Sequence, residues 1–167
     1  MAELTQKERL QPSLLDRLVD NAPEHIQESR EQRVLSLNML RECVLRDLAW
    51  LLNTNHLETA ENLEAYPFVK HSVVNYGVLD LVGKTSSGVE MQDIQRQILQ
   101  AIVDFEPRIL AETLRVKVVV SDNQMNHNAL TFDIEGDLWA QPLPLRLYLR
   151  TELDLETGNM EIIQRAA

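Results

Sequence analysis

The chain has 167 residues, enough for one domain with a single core, and carries 26 acidic against 16 basic residues for a formal net charge of −10. That balance excludes a general nucleic-acid binder, which needs a basic face to displace counterions, and disfavours electrostatic docking on an anionic membrane. The apolar runs are too short for a membrane span, residues 1–10 lack a signal-peptide core, and the single cysteine, Cys43, excludes an internal disulfide framework and fits a reducing compartment.

In chain order, residues 1–35 read as a polar arm and 36–167 as one α+β domain. Within the arm, Ser13 is placed to cap a short helix over 14–20, with Asp16 three residues on as its capping-box partner and Leu14, Leu15 and Leu18 as a small apolar stripe. Residues 21–33 contain Pro23 and little to bury, and read as an exposed connector or a marginal helix.

The first strong helix begins near Ser36. Leu37, Leu40, Val44, Leu48 and Leu51 recur at three- and four-residue steps, while Arg41, Glu42, Arg46 and Asp47 fall mostly on the other side. Asn53-Thr54-Asn55 should end it, since asparagine tolerates a left-handed residue after a helix. Further on, Pro67 suits the first turn of a short helix carrying Phe68, Val69 and Ser72. Gly77 and Gly83 mark chain reversals or close backbone approaches, with an apolar stretch, 78–82, between them that can pack on the core.

A second strong helix starts at Ser87-Gly88-Val89-Glu90, which has capping-box spacing, and continues through the stripe Met91, Ile94, Ile98, Ile102 and Phe105. Pro107 ends it, because the residue before a proline is pushed out of helical geometry. The apolar period then changes to two. Leu114, Val116, Val118 and Val120 form one such run and Leu130, Phe132 and Ile134 another. Leu145, Leu147, Leu149, Leu153 and Leu155 form a third, broken only by Thr151. Glu156-Thr157-Gly158-Asn159 is a turn into a last strand over 160–163. Helices first and strands second predict N-terminal helices packed on a C-terminal, mainly antiparallel sheet.

Few catalytic signatures are present. Gly77 stands one residue too far from Gly83-Lys84-Thr85 for a phosphate loop, and there is no dinucleotide fingerprint, so no cofactor is expected. His25, His56, His71 and His127 show no metal-site spacing, so no metal is expected either. Cys43 beside Val44 reads as a packed, inert thiol.

One local rule is broken. Asp104 and Glu106 sit at a helix C-terminus, where the dipole disfavours acids by roughly 0.3–1 kcal/mol each. One account is a screened helix end with Glu106 paired to Arg108. The other is that Glu106-Pro107-Arg108 is a recognition element, with Pro107 fixing the relation of a carboxylate to a guanidinium able to make directional contacts across an interface. Both remain open on the residues alone.

Glu106-Pro107-Arg108 also belongs to an ordered set. Upstream stand Arg46-Asp47-Leu48-Ala49-Trp50-Leu51-Leu52-Asn53-Thr54, then Tyr66-Pro67, then Ser72-Val73-Val74-Asn75-Tyr76-Gly77-Val78-Leu79-Asp80-Leu81. In this order and spacing, over roughly residues 14–163, the chain resembles the TssE family of type VI secretion baseplate subunits. That family is similar to the T4-type phage baseplate wedge protein of the lysozyme-like family. The one departure is Asn55-His56, where the family's pattern has a basic residue.

The resemblance implies a structural protein rather than an enzyme. It would sit in the bacterial cytoplasm, in a baseplate docked near the inner membrane. It would link the wedge subunits TssF, TssG and TssK to the sheath subunits TssB and TssC and help start sheath assembly. Glu106, Pro107 and Arg108 are then the partner-binding residues, and the sheet mimics a sheath subunit and takes up strands from the first sheath ring. The final hairpin agrees, since an exposed edge strand is a template for strand addition. Two alternatives come from other classes. One is a muramidase-like peptidoglycan hydrolase using Glu106 with a second carboxylate, Asp133 or Glu135, although these two share a strand face that looks solvated. The other is a small adaptor unrelated to secretion.

Overall fold

A computed structural model describes residues 13–18, 24, 36–79, 88–119, 129–140 and 144–164. Among the described residues three α-helices precede a fourth that leads into the sheet: α1 (Leu14–Leu18), α2 (Leu37–Leu52), α3 (Pro67–Lys70) and α4 (Gly88–Phe105). Short 3-10 turns, Leu57–Thr59 and Val73–Asn75, flank α3. The strands β1 (Arg115–Val119), β2 (Ala129–Leu138), β3 (Leu145–Asp154) and β4 (Met160–Gln164) form one antiparallel sheet in sequence order. This is the expected α+β arrangement.

The core lies between α2, α4 and one face of the sheet. Leu40, Val44, Leu48, Leu51 and Leu52 meet Ile94, Ile98 and Ile102, and both sets close on Val116, Phe132, Ile134, Leu147, Leu149 and Leu153. The helical and strand periods thus supply the two sides of one core. Thr151, the break in the β3 run, is fully buried with its hydroxyl unpartnered among the described residues. Leu37, counted in the α2 stripe, lies one turn before Leu40 and is exposed.

Ser36 caps α2, its hydroxyl accepting the Met39 N–H at 3.1 Å. The other end differs from the expectation. Asn53 ends α2, but at φ −105°, and no residue other than glycine has positive φ among those described. The side chain rather than the backbone makes Asn53 useful. Its Nδ2 donates to the carbonyls of Ala49 (2.8 Å) and Met160 (2.9 Å), and its Oδ1 accepts the Met160 N–H at 2.8 Å. One amide therefore closes the helix and pairs with β4 as a neighbouring peptide group would.

Gly77 performs as expected. At φ +128° it lets the chain run past the end of α2, where Val78 donates to the Thr54 carbonyl (2.8 Å) and accepts from His56 (3.0 Å). A Cβ on Gly77 would stand 2.3 Å from the Thr54 oxygen. Val78 is buried, whereas residues 80–87, with Gly83 and the Ser87 cap, lie outside the described residues, as do His25, His127, Val120 and most of the 1–35 arm. The β3–β4 turn is held by Asp154, whose Oδ1 accepts from Glu156 and Thr157, and by Gly158 at φ 72°.

Leu48→Asp or Ile98→Asp is expected to unfold the domain, because each places an unpaired charge in a site without water; loss of cooperative melting by circular dichroism is the readout. Gly77→Ala should cost about 2 kcal/mol or more in urea denaturation, combining strained φ with the overlap on Thr54.

Candidate interaction site at the end of α4

The helix α4 ends at Phe105, and Glu106 still donates its N–H to the Ile102 carbonyl at 2.9 Å. Pro107 then occupies the second position of a β-turn closed by the Ile109 N–H on the Glu106 carbonyl (3.1 Å). The chain leaves the turn extended along the end of β2. Trp139 donates to the Arg108 carbonyl at 2.7 Å, and Leu110 donates to the Asp137 carbonyl at 2.9 Å. Ile109 passes so close to Gly136 that a Cβ there would lie 2.9 Å from the isoleucine methyl. Helix end, turn and sheet are thereby locked together.

Glu106 is 3% exposed, so its carboxylate needs a partner. Arg108 supplies it with a two-pronged contact, Nε to Oε1 at 2.6 Å and Nη2 to Oε2 at 2.5 Å, and the Arg108 N–H adds a third bond at 3.2 Å. The same Nη2 reaches Asp47 Oδ2 on α2 at 2.5 Å. Asp47 accepts on Oδ1 from Arg46 (2.9 and 2.7 Å), and Arg46 donates to Asp16 on α1 at 2.6 Å. Asp16 in turn accepts from the Ser13 hydroxyl at 2.6 Å. Three acids and two arginines thus form one chain of charges joining α1, α2 and the end of α4.

The titration behaviour follows. Burial works against the Arg108 charge, but Glu106 and Asp47 outweigh it and hold the guanidinium protonated beyond its ordinary range. Arg46 is likewise strengthened, chiefly by Asp16. Burial would raise Asp16, yet hydrogen bonds from Arg46, Ser13 and Cys43 together bring it below the ordinary carboxylate value. Cys43 is buried, and that burial and the nearby Asp16 push its thiol up, away from the reactive thiolate. Tyr76 is raised by burial and by the charges of Asp47 and Glu106, and its ring packs edge-on to Phe105 at 5.3 Å.

The structure therefore brings Glu106, Pro107 and Arg108 together in one turn, and the Glu106–Arg108 pairing accounts for the acid at the helix end. Asp104 is satisfied separately, by His71 Nδ1 (2.8 Å) and Gln100 Nε2 (2.8 Å). Sequence reading placed Arg46 and Asp47 away from the apolar stripe but missed that Asp47 meets Arg108, 61 positions on, and that Arg46 reaches Asp16. Their adjacency as an opposite-charge pair was the available signal. It also left the orientation of α1 unread. This helix docks through Asp16, so Leu14 (72%) and Leu18 (73%) face outward, and Trp50 on α2, with Arg46 stacked over it at 4.9 Å, is also exposed.

The carboxylates weighed as a hydrolytic pair are otherwise engaged. Both Glu106 oxygens face Arg108, Asp133 is bridged in two-pronged fashion by Arg150 (2.8 and 2.9 Å), and Glu135 lies 3.7 Å from Arg146. Among the described residues no group of three or more His, Cys, Asp or Glu side chains is placed to hold a metal, and no helix is long and apolar enough to cross a membrane.

Arg108→Ala should destabilise the domain by about 3 kcal/mol in urea, because it strands the Glu106 carboxylate, whereas Arg108→Lys should cost less while still losing the two-pronged contact. Asp16 has a lower pKa folded than unfolded, so the unfolded chain binds more protons between the two values and stability rises with pH there. Its contribution is complete above the unfolded value and is lost as pH falls through the folded one. Acid titration below about pH 4 should accordingly destabilise the wild type more than Asp16→Asn, as followed by far-ultraviolet circular dichroism.

Residues 38–143, more than half of the chain, match the family model described as baseplate wedge protein gp25. No curated protein and no solved structure matches. The matched span begins inside α2, contains Arg46, Asp47 and the Glu106-Pro107-Arg108 turn, and runs past the end of β2. The chain belongs to the baseplate wedge protein gp25 family, a family of structural components of a phage-type baseplate.

Proposed function

We propose that this protein is the TssE-type baseplate subunit of a bacterial type VI secretion machine. In this reading it joins the wedge subunits TssF, TssG and TssK to the sheath subunits TssB and TssC and helps start sheath assembly. It works in the cytoplasm, in a baseplate docked near the inner membrane, as a scaffold rather than an enzyme. The observation that carries the proposal is the charge chain from Asp16 to Glu106, which holds the Glu106-Pro107-Arg108 turn rigidly beside α1 and α2. A pre-ordered turn loses little entropy on binding.

The surroundings support an interface there. Pro107 is exposed, Arg108 keeps part of its side chain in water, and Leu14, Leu18 and Trp50 present apolar surface on the helices that the charge chain joins. The arm, residues 1–35, is on this reading a partner-binding extension of the 36–167 domain. The sheet supports the sheath link. The Asp154 N–H on the Asn159 carbonyl (3.0 Å) sets the alternation of the β3–β4 ladder, so Met160, Ile162 and Gln164 turn their backbone groups outward. Asn53 occupies Met160, and the ladder beyond it has no partner strand among the described residues.

The test is a cross-linked pull-down from the native bacterium with wild type, Leu18→Glu and Arg108→Lys as baits. Sheath and baseplate subunits should accompany the wild type and be depleted with both variants, which thermal melts should show to be folded. Recovery of neither class of subunit by the wild type would overturn the reading, and undiminished recovery by both folded variants would remove this face from the interface.

A further inference from the structure

Between α2 and α4 the chain makes a closed excursion, residues 55–78. Its ends are joined by a parallel bridge between Asn55 and Val78, and the His56 N–H donates to the Val78 carbonyl at 3.0 Å. Within it, the buried side chain of Asn75 ties distant points together. Its Oδ1 accepts the Glu58 N–H and its Nδ2 donates to the Lys70 carbonyl, both at 2.9 Å. Lys70 also pairs with Glu58 at 2.6 Å, and His71 meets Asp104 of α4 at 2.8 Å. The excursion is thus fastened at its neck, through its middle and onto α4.

What this fastened segment displays is apolar. Phe68 is 93% exposed, Val73 82%, Val74 63% and Tyr66 61%, on α3, its N-cap and the 3-10 turn packed beside it. None of the four belongs to the core. Together they expose on the order of 500 Å², the range in which an apolar patch marks an interaction site and more than half of what one side of a standard interface buries. A loose loop would fold such side chains away from water. One pinned through Asn75 holds them out, and a partner that covers them has little ordering left to do.

The charges select the partner. Glu61 and Glu64 lie on the exposed stretch that leads into Tyr66. Glu64 takes one amide contact from Asn62 (3.4 Å), and no lysine or arginine among the described residues pairs with either acid. Lys70 is occupied by Glu58, so the patch is accompanied by unneutralised negative charge, on a chain of net charge −10. A second copy would bring acid onto acid, and an anionic membrane would repel the same two glutamates. A protein surface of opposite sign meets both demands. We propose that the 55–78 excursion docks on a partner protein, with Phe68 and Val73 in an apolar socket bordered by lysine or arginine opposite Glu61 and Glu64. This contact uses other residues than the Glu106-Pro107-Arg108 face.

The experiment is photocross-linking in the native bacterium with p-benzoylphenylalanine in place of Phe68, the attached peptide being sequenced by mass spectrometry. The position is exposed, so the replacement leaves the fold intact. The label should join a peptide of another protein that combines apolar residues with lysine or arginine. Adding Glu61→Lys and Glu64→Lys should lower the yield about tenfold, because like charges then face each other. Glu42→Lys with Glu112→Lys, the same change in net charge at exposed positions elsewhere, should leave the yield unaltered. Melts followed by circular dichroism check that every variant is folded. Attachment to a second copy, to another part of the same chain, to lipid or to a peptide without basic residues would overturn the proposal. So would no attachment, an unaltered yield after reversal at 61 and 64, or an equal loss from both pairs of reversals. None of these outcomes requires the partner to be a secretion subunit, so this proposal and the type VI reading fail separately.

Discussion

A carboxylate has been taken out of water at Glu106, and the Arg108 guanidinium two residues later is what makes that tolerable. Paired carboxylate and guanidinium recover in hydrogen bonds and attraction what they lose in solvation only when the geometry is nearly fixed, and here Pro107 and the β-turn fix it. Because the same guanidinium also reaches Asp47, the helix end cannot shift against α2 without exposing one acid or stranding another. The placement of α1, through Arg46 and Asp16, is a further consequence of that one pairing. A network of this kind contributes less to net stability than an apolar contact of equal size would. It does penalise every arrangement but one, and that suits a subunit whose job is to hold others in place.

A second constraint of the same kind operates at the sheet. A β4 edge left wholly open would be a template for uncontrolled pairing. Asn53 fills its first outward-facing position with an amide that imitates a peptide group, and in doing so ties the end of α2 to the sheet. What remains of the edge begins at Ile162, so any strand added there has a defined starting register. The two devices use opposite chemistry, ionic at the end of α4 and neutral at the end of α2. Both make a side chain do what backbone would otherwise have to do.

The helices and strands were legible in the sequence because their signals are local. The helix start near Ser36, Pro107 as a stop, the stripes of α2 and α4, the two-residue period of β1 to β3 and the turn before β4 each depend on neighbours a few positions away. The acids at the end of α4 could be recognised as a conflict, and Arg108 as the nearest answer, for the same reason. Asn53 was placed correctly as a helix end for an incorrect reason. Its partner, Met160, lies 107 positions away, and no local pattern announces such a bond.

Residue types and spacing by themselves thus determined the α+β architecture, the faces that α2, α4 and the strands turn to the core, and the Glu106-Pro107-Arg108 turn. Burial periodicity and proline sterics act within a few residues, so they survive in the one-dimensional record. Tertiary structure alone decided that Asp47 and Arg46 complete the charge chain, and that α1 docks by its polar side and leaves its leucines outward. Each of these depends on which distant surfaces meet, and that is set by the packing of the whole core.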